Sequence, residues 1–354
     1  MKIEKILREA VDAHASDIYI TTGAPPTFRV HGELVPLKDH PPLTDETARE
    51  YLTDTMTEAQ QQAYAADMDI DFAIHVPDLA RFRVNVFMQR KGIGGVLRLI
   101  PSKIPTMEEL RLPEAFKKIP EFSNGLVLVT GPTGSGKSTT LAALIQSINE
   151  TEGAHIITIE DPIEFVYENK KSVVDQREVA TNTKSFQVAL RAALREDPDV
   201  ILVGEMRDLE TIALAITAAE TGHLVFGTLH TSGAAKTIDR IVNVFPGERQ
   251  NQIRSELSAV LRTVVWQQLL KTKDGKGRVA AFEILFATTA VANLIRGNKI
   301  HEIPSTIETG AKDGMQTMQQ SIFPLLKQGL ISQEEALSNL PQELSPSELK
   351  RWMQ

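Results

Sequence analysis

Apolar residues recur along this chain with two different periods, and the rhythm changes near residue 121. Ile3, Ile6, Leu7, Ala10 and Val11 fall on one side of a helix over residues 2–13. Residues 15–20 lead from that helix into a strand, and Gly23-Ala24-Pro25-Pro26 makes a turn. The runs 27–30 and 33–37 flank His31-Gly32 as a hairpin. Residues 44–65 are helical in pattern, 69–74 and 81–87 alternate as strands, and 93–100 supplies another. This order predicts a small α+β domain built on an antiparallel sheet. Pro101, Pro105, Pro113 and Pro120 then interrupt the pattern and predict a linker over 101–120 that ends in a short helix.

Beyond it, short apolar runs alternate with helical stretches, the mark of a parallel α/β sheet. Strands are expected at 126–130, 155–159, 200–204 and 224–229, and helices at 137–149, 184–195, 208–221 and 234–242. Residues 248–270 read as one long helix with Ile253, Leu257, Val260, Leu261, Val264 and Val265 on its apolar side. Residues 272–278 read as a hairpin loop between strands ending near Leu270 and starting at Val279. From 288 the pattern is helical, over 288–297, 314–328, 332–338 and a last short segment near 346–353. The expected division is an N-terminal domain (1–100), a linker (101–120), an α/β core (121–287) and a helical C-terminal region (288–354).

Composition narrows the function classes. A net charge of -8 argues against a chain that simply coats nucleic acid or an anionic membrane. The absence of cysteine excludes disulfides and cysteine-based zinc sites. The charged start, Met1 to Glu9, is unlike a signal peptide, and no apolar run approaches the roughly 20 residues that cross a bilayer. Any membrane role is expected to be peripheral.

The most specific chemistry lies at 131–140. Gly131, Thr133, Gly134, Ser135, Gly136, Lys137, Ser138 and Thr139 belong to a G-x-x-x-x-G-K-S run between an apolar strand and a helix start, the Walker A arrangement. Glycines let the backbone curl so that successive N–H groups converge on a phosphate, and the helix N-terminus adds its unpaired N–H groups. Lys137 is placed to reach the β- and γ-phosphates of ATP, and the Ser138 hydroxyl to ligate Mg²⁺.

In an open parallel sheet, ligands collect beyond the C-terminal ends of the strands. Three polar clusters stand there: Glu160-Asp161-Pro162-Ile163-Glu164, then Glu205, then His230. Gly204 occupies the place where a metal-holding Asp often sits, which leaves Mg²⁺ to Ser138 and water. Glu205 then either polarises the lytic water, or pairs with Arg207, or caps the helix at 208. Glu160 and Glu164 could also act, Glu160 as an outer ligand of the metal. His230 is either structural or a sensor between the γ-phosphate and the carboxylates, and His223 is a weaker candidate. Arg81 and Arg83 share one side of a strand, and Arg191 and Arg195 stand four apart on a helix. Such arginines are either salt-bridged surface or charge compensation for triphosphate.

Taken together, these clusters resemble the secretion ATPase superfamily, and most closely the type IV pilus retraction ATPases of the PilT/PilU kind. The likeness runs from Ala15-Ser16-Asp17 through Arg81-Phe82-Arg83-Val84-Asn85 to Gly314-Met315-Gln316-Thr317. Residues 159–164 look like that family's Asp box, 204–211 like its atypical Walker B, and 221–231 like its His box. The resemblance implies a PAS-like N-terminal domain, a RecA-like P-loop ATPase core and a homohexamer with ATP and Mg²⁺ between domains. It assigns catalysis to Glu205 with Glu164 and His230 assisting, and brings Arg81 and Arg83 to the nucleotide. It also implies a cytoplasmic motor at the pilus base, acting on a PilC-like inner-membrane platform protein, with a paralogous retraction ATPase as a possible companion and no nucleic-acid partner. The family's C-terminal A-I-R-N-L-I-R-E motif appears here as Ala290-Val291-Ala292-Asn293-Leu294-Ile295-Arg296-Gly297. Ala292 and Gly297 replace its first arginine and final glutamate, and the alternative is a PilU-like accessory motor or a nucleotide-binding docking subunit without autonomous retraction. Pilus assembly and secretion ATPases usually add a cysteine-based metal insertion, which is absent.

Overall fold

The computed structural model describes residues 1–340 apart from positions 31, 101, 102 and 276, so the helix expected near 346–353 lies outside the described residues. The chain divides into two compact units. The first comprises Met1–Lys103 together with Pro162–Val166, and the second Ile104–Asp161 with the chain from Tyr167 on.

In the first unit, α1 (Glu4–Asp12) precedes β1 (Asp17–Thr21), β2 (Thr27–Val30) and β3 (Glu33–Pro36). Then come α2 (Asp45–Thr53), α3 (Glu58–Asp67), β4 (Asp69–Val76), β5 (Ala80–Gln89) and β6 (Gly92–Ile100). The six strands form one sheet in the order β3-β2-β1-β6-β5-β4, every pair antiparallel. The single helix expected over 44–65 is two. The first stops at Thr53, and Thr57 starts the second through a capping box with Gln60, each satisfying the other's backbone N–H. Ile6, Leu7, Leu52, Phe82, Val84 and Val86 are sealed in the core beneath this sheet.

The second unit begins with a 3₁₀ turn at Glu114–Lys118, where Phe116 is buried edge-on to Phe282 with ring centroids 5.1 Å apart. Strand β7 (Gly125–Thr130) runs into α4 (Lys137–Thr151), followed by β8 (His155–Glu160) and β9 (Val173–Glu178). After these come α5 (Phe186–Ala193), β10 (Val200–Val203), α6 (Leu209–Glu220), β11 (Leu224–Leu229) and α7 (Ala234–Asn243). The seven-stranded sheet has the order β13-β12-β7-β11-β10-β8-β9, parallel throughout except for the last-formed edge, β12 with β13.

Two differences from the sequence reading have clear causes. The long helix over 248–270 is overturned: α8 covers only Gln250–Val260, and the chain turns directly into β12 (Leu261–Lys271), paired with β13 (Arg278–Phe286). Residues 261–266 carry Thr263, Val264, Val265 and Trp266, β-branched and aromatic types that lose χ1 freedom in a helix and pack well in a sheet. Strand β9 went unread because it lies at the sheet edge, only partly buried, and needs no apolar alternation. The helices α9 (Thr289–Arg296), α10 (Ile303–Thr309), α11 (Met318–Lys327) and α12 (Gln333–Asn339) complete the described chain. Thr288, Thr317 and Ser332 cap three of them by accepting a backbone N–H in the first turn.

Candidate active site

Strands β7, β11, β10 and β8 are neighbours in that order and parallel, so the segments leaving their C-terminal ends stand side by side. They deliver, in turn, the loop at 131–136, His230, Glu205 and Glu160.

The loop is held from several directions. Gly131 has φ +146°, Gly134 +77° and Gly136 +87°, conformations that side chains disfavour. A Cβ on Gly131 would meet the Gln267 carbonyl oxygen at 2.3 Å, and one on Gly136 the Gln267 Nε2 at 2.8 Å, whereas one on Gly134 would meet nothing within 4 Å. Lys137, buried at the start of α4, donates from Nζ to the carbonyls of Gly131 (2.9 Å) and Pro132 (3.0 Å). Gly136 gives α4 no side-chain cap, so the first-turn N–H groups are available to an anion. Ser135 Oγ is buried with no hydrogen-bond partner. Ser138 and Thr139 begin α4 half-buried, and Thr133 is exposed at the loop tip. These features fit a polyphosphate: a glycine cradle, an ammonium folded toward it, an orphaned hydroxyl and a helix N-terminus.

Beside the loop lies a cavity of about 680 Å³. Leu112, Leu269, Val279, Ala280 and Leu330 give it mostly apolar walls, with Thr139 and Arg278 also lining it. Such a slot suits a flat base.

Glu205 leaves β10 and accepts from Arg207 at 2.7 Å, and it stands 3.1 Å from His230 Nε2. Burial presses its carboxyl upward, but Arg207 and His230 outweigh that and hold it below the usual carboxylate range. The helix cap is Asp208, which accepts the Thr211 N–H, so of the two bland roles for Glu205 only the Arg207 pairing is realised. Gly204 is explained by crowding, since a Cβ there would sit 3.1 Å from the Ile159 carbonyl and 3.3 Å from Glu160 Cα. Glu160 accepts from Thr158 (2.7 Å) and Gln176 (3.3 Å). Among the described residues no group of three His, Cys, Asp or Glu could hold a metal. The Ser138 hydroxyl, half-buried at the start of α4, is the donor that would hold Mg²⁺, an ion that takes few protein ligands and completes its shell with phosphate and water.

The remaining candidates separate. His223 bonds the Ala218 carbonyl (2.8 Å) and Thr221 (3.1 Å), a structural fastening at the end of α6. Arg191 is ion-paired with Glu210. Arg81, Arg83 and Glu164 belong to the first unit. Arg83 is gripped by Asp71, with Nε at 3.1 Å and Nη2 at 2.6 Å from Oδ2. Gln267, which contacts the loop at several points, was missed because its segment read as helix.

Comparison with known proteins agrees with this geometry. The family described as type II/IV secretion system protein matches residues 1–338. The chain is 57% identical over 311 residues to a twitching motility protein of Neisseria gonorrhoeae, covering 88% of this chain and 83% of that one. It is 53% identical over 336 residues to the type IV pilus retraction ATPase PilT of Pseudomonas aeruginosa, covering 95% and 97%. A crystal structure of the pilus retraction motor PilT with bound ADP superposes with a TM-score of 0.91 at 50% identity, covering 99% of each chain.

Proposed function

The chain belongs to the type II/IV secretion system protein family, and on that premise we propose that it is an ATP-hydrolysing motor, working as a homohexamer, that drives type IV pilus retraction. The observation that carries the chemistry is the Glu205–His230 pair, 3.1 Å apart on neighbouring strand ends in the same row as the Lys137 loop. A deprotonated Glu205 orients water and accepts its proton, and His230 fixes the carboxylate's direction. The loop N–H groups and Lys137 grip the phosphates, and Ser138 offers its hydroxyl to Mg²⁺. When bound, the magnesium nucleotide supplies the reacting phosphoryl group and partly neutralised phosphate charge. Arg81, Arg83 and Glu164 are proposed as further nucleotide-handling residues, and Glu160 as an outer-sphere group of the metal. The work is delivered to a platform protein at the inner face of the membrane. No described helix is long and apolar enough to cross a membrane.

Magnesium-dependent ATP turnover tests the reading. Lys137→Ala abolishes nucleotide binding, while Glu205→Gln keeps binding and loses turnover by about 10²-fold or more, the usual worth of a positioned base. Wild-type turnover by Glu205→Gln would overturn the assignment. A second reading, an accessory motor, is favoured by Ala292 and Gly297. Gly297 ends α9 with φ −81°, which any residue adopts, but a Cβ there would sit 3.1 Å from the Asn293 carbonyl oxygen. Complementation of a strain lacking its retraction motor separates the two, since an accessory motor would hydrolyse ATP and fail to restore twitching.

A further inference from the structure

Gln267 is a polar residue in the middle of β12, only 2% exposed, on the strand that pairs with β7 immediately before the loop. Burying a carboxamide costs free energy unless its groups are paired, and here both are paired to the loop. Nε2 donates to the Ser135 carbonyl at 2.7 Å, and Oε1 accepts from the Thr140 hydroxyl at 2.8 Å. Its backbone also touches the loop: the Gln267 carbonyl oxygen lies 2.3 Å from where a Gly131 Cβ would stand. One residue thus meets the loop at its start, its middle and the first turn of the helix that follows. Ser135 and Thr140 are themselves buried, at 3% and 2%, so water does not compete for these bonds.

We propose that Gln267 is a positioning residue that locks the loop at 131–140 into its phosphate-binding curve. The inference rests on the reading of that loop as the nucleotide site. Its carboxamide donates to the carbonyl of Ser135, whose peptide plane sets the direction of the Gly136 N–H. Through Thr140 the same group fixes the rotation of the first turn of α4, and with it the neighbouring N–H groups. Gln267 reaches the phosphates only through these neighbours, so its contribution is to pre-order donors that an unlatched loop would have to order on binding. Nucleotide affinity should respond to it more than the chemical step does.

The test is steady-state ATP turnover and equilibrium ADP binding by the full chain, for wild type, Gln267→Leu, Thr140→Val and the double variant. Gln267→Leu keeps the volume and removes both bonds. It should raise the Kd for ADP and the KM for ATP about tenfold, the equivalent of one well-made hydrogen bond, with kcat falling less than KM rises. Thr140→Val should give a smaller increase, and adding it to Gln267→Leu should change affinity by less than twofold further, because the two share one bond. Gln267→Glu keeps the shape and the acceptor toward Thr140 but turns an acceptor to the Ser135 carbonyl. It should also weaken ADP binding, and it serves if Gln267→Leu does not fold. Unchanged Kd and KM, a fall in kcat alone, or fully additive effects would overturn the proposal. Lys137→Ala is the control for the site. If it binds ADP like wild type, the nucleotide reading fails; if it loses binding and both Gln267 variants keep it, only the role of Gln267 fails.

Discussion

Two glycines of the same loop should respond to the same substitution in opposite ways. At Gly131 an added Cβ would lie 2.3 Å from the Gln267 carbonyl oxygen and 2.7 Å from Ser135 Oγ. The first contact is 1.1 Å short of the ordinary 3.4 Å, and the obstacle is backbone of a strand paired to β7, which cannot swing aside as a side chain would. The φ of +146° adds strain for any residue with a Cβ. Overpacking of this kind costs about 1–3 kcal/mol and an unfavourable backbone region about 1–3 kcal/mol, so Gly131→Ala should destabilise the second unit by roughly 2–6 kcal/mol. At Gly134, φ is +77° and a Cβ would touch nothing within 4 Å, leaving only a conformational cost of about 1–2 kcal/mol. Its Cβ would instead occupy open space at the loop proposed to hold phosphate. Gly134→Ala should therefore lose no more than about 1–2 kcal/mol of stability, less than Gly131→Ala, and lose nucleotide affinity by an order of magnitude or more. Urea denaturation followed by fluorescence gives the stabilities, and titration with ADP gives the affinities. If Gly134→Ala is destabilised as much as Gly131→Ala, or binds ADP as tightly as wild type, the cradle geometry argued here is wrong.

Three further outcomes follow from charges around the sheet. Arg207 is 74% exposed yet holds Glu205 at 2.7 Å, so Arg207→Gln should raise the Glu205 pKa. The acid limb of turnover against pH then moves to higher pH, with the alkaline plateau retained within about twofold, because an exposed pair contributes little energy. Burial opposes protonation of His155, but Asp175 at 3.0 Å and the Asp197 carbonyl outweigh it, and its pKa is raised. The stability it contributes is full below the ordinary histidine pKa and is lost as pH rises through the folded value, so His155→Gln should flatten that slope in denaturation curves taken from pH 6 to 8.5. Burial also raises the pKa of Glu283, against the pull of the Ala234 N–H and Lys236. A carboxyl with a raised folded pKa loses stability as pH climbs from its unfolded value, so Glu283→Gln, which keeps an acceptor for Ala234, should gain on wild type between pH 5 and 8.

How much of the site was legible in the sequence depends on where each residue's partner lies. The loop at 131–140 is local: its glycines, Lys137 and Ser138 sit in one run between a strand and a helix, and the structure puts them there without adjustment. Glu205 and His230 needed one further step. Each ends an apolar run, and the parallel pairing of β10 with β11 brings those ends together at 3.1 Å. Gln267 needed two steps that one-dimensional pattern could not supply. Ile253, Leu257, Val260, Leu261, Val264 and Val265 fit a helical face, because α8 ends at Val260 and β12 starts at Leu261 with no loop between to break the apolar run. Only the sheet reveals the break, since β12 bonds to β7 along one edge and β13 along the other. Once 261–271 is a strand, the alternation puts Val265, Gln267 and Leu269 on one side, and Gln267 becomes a buried polar residue among apolar neighbours. That is the signal a corrected reading would have offered: a carboxamide in a core strand, next to the strand that carries the loop, needs partners, and the loop has a carbonyl and a hydroxyl to give.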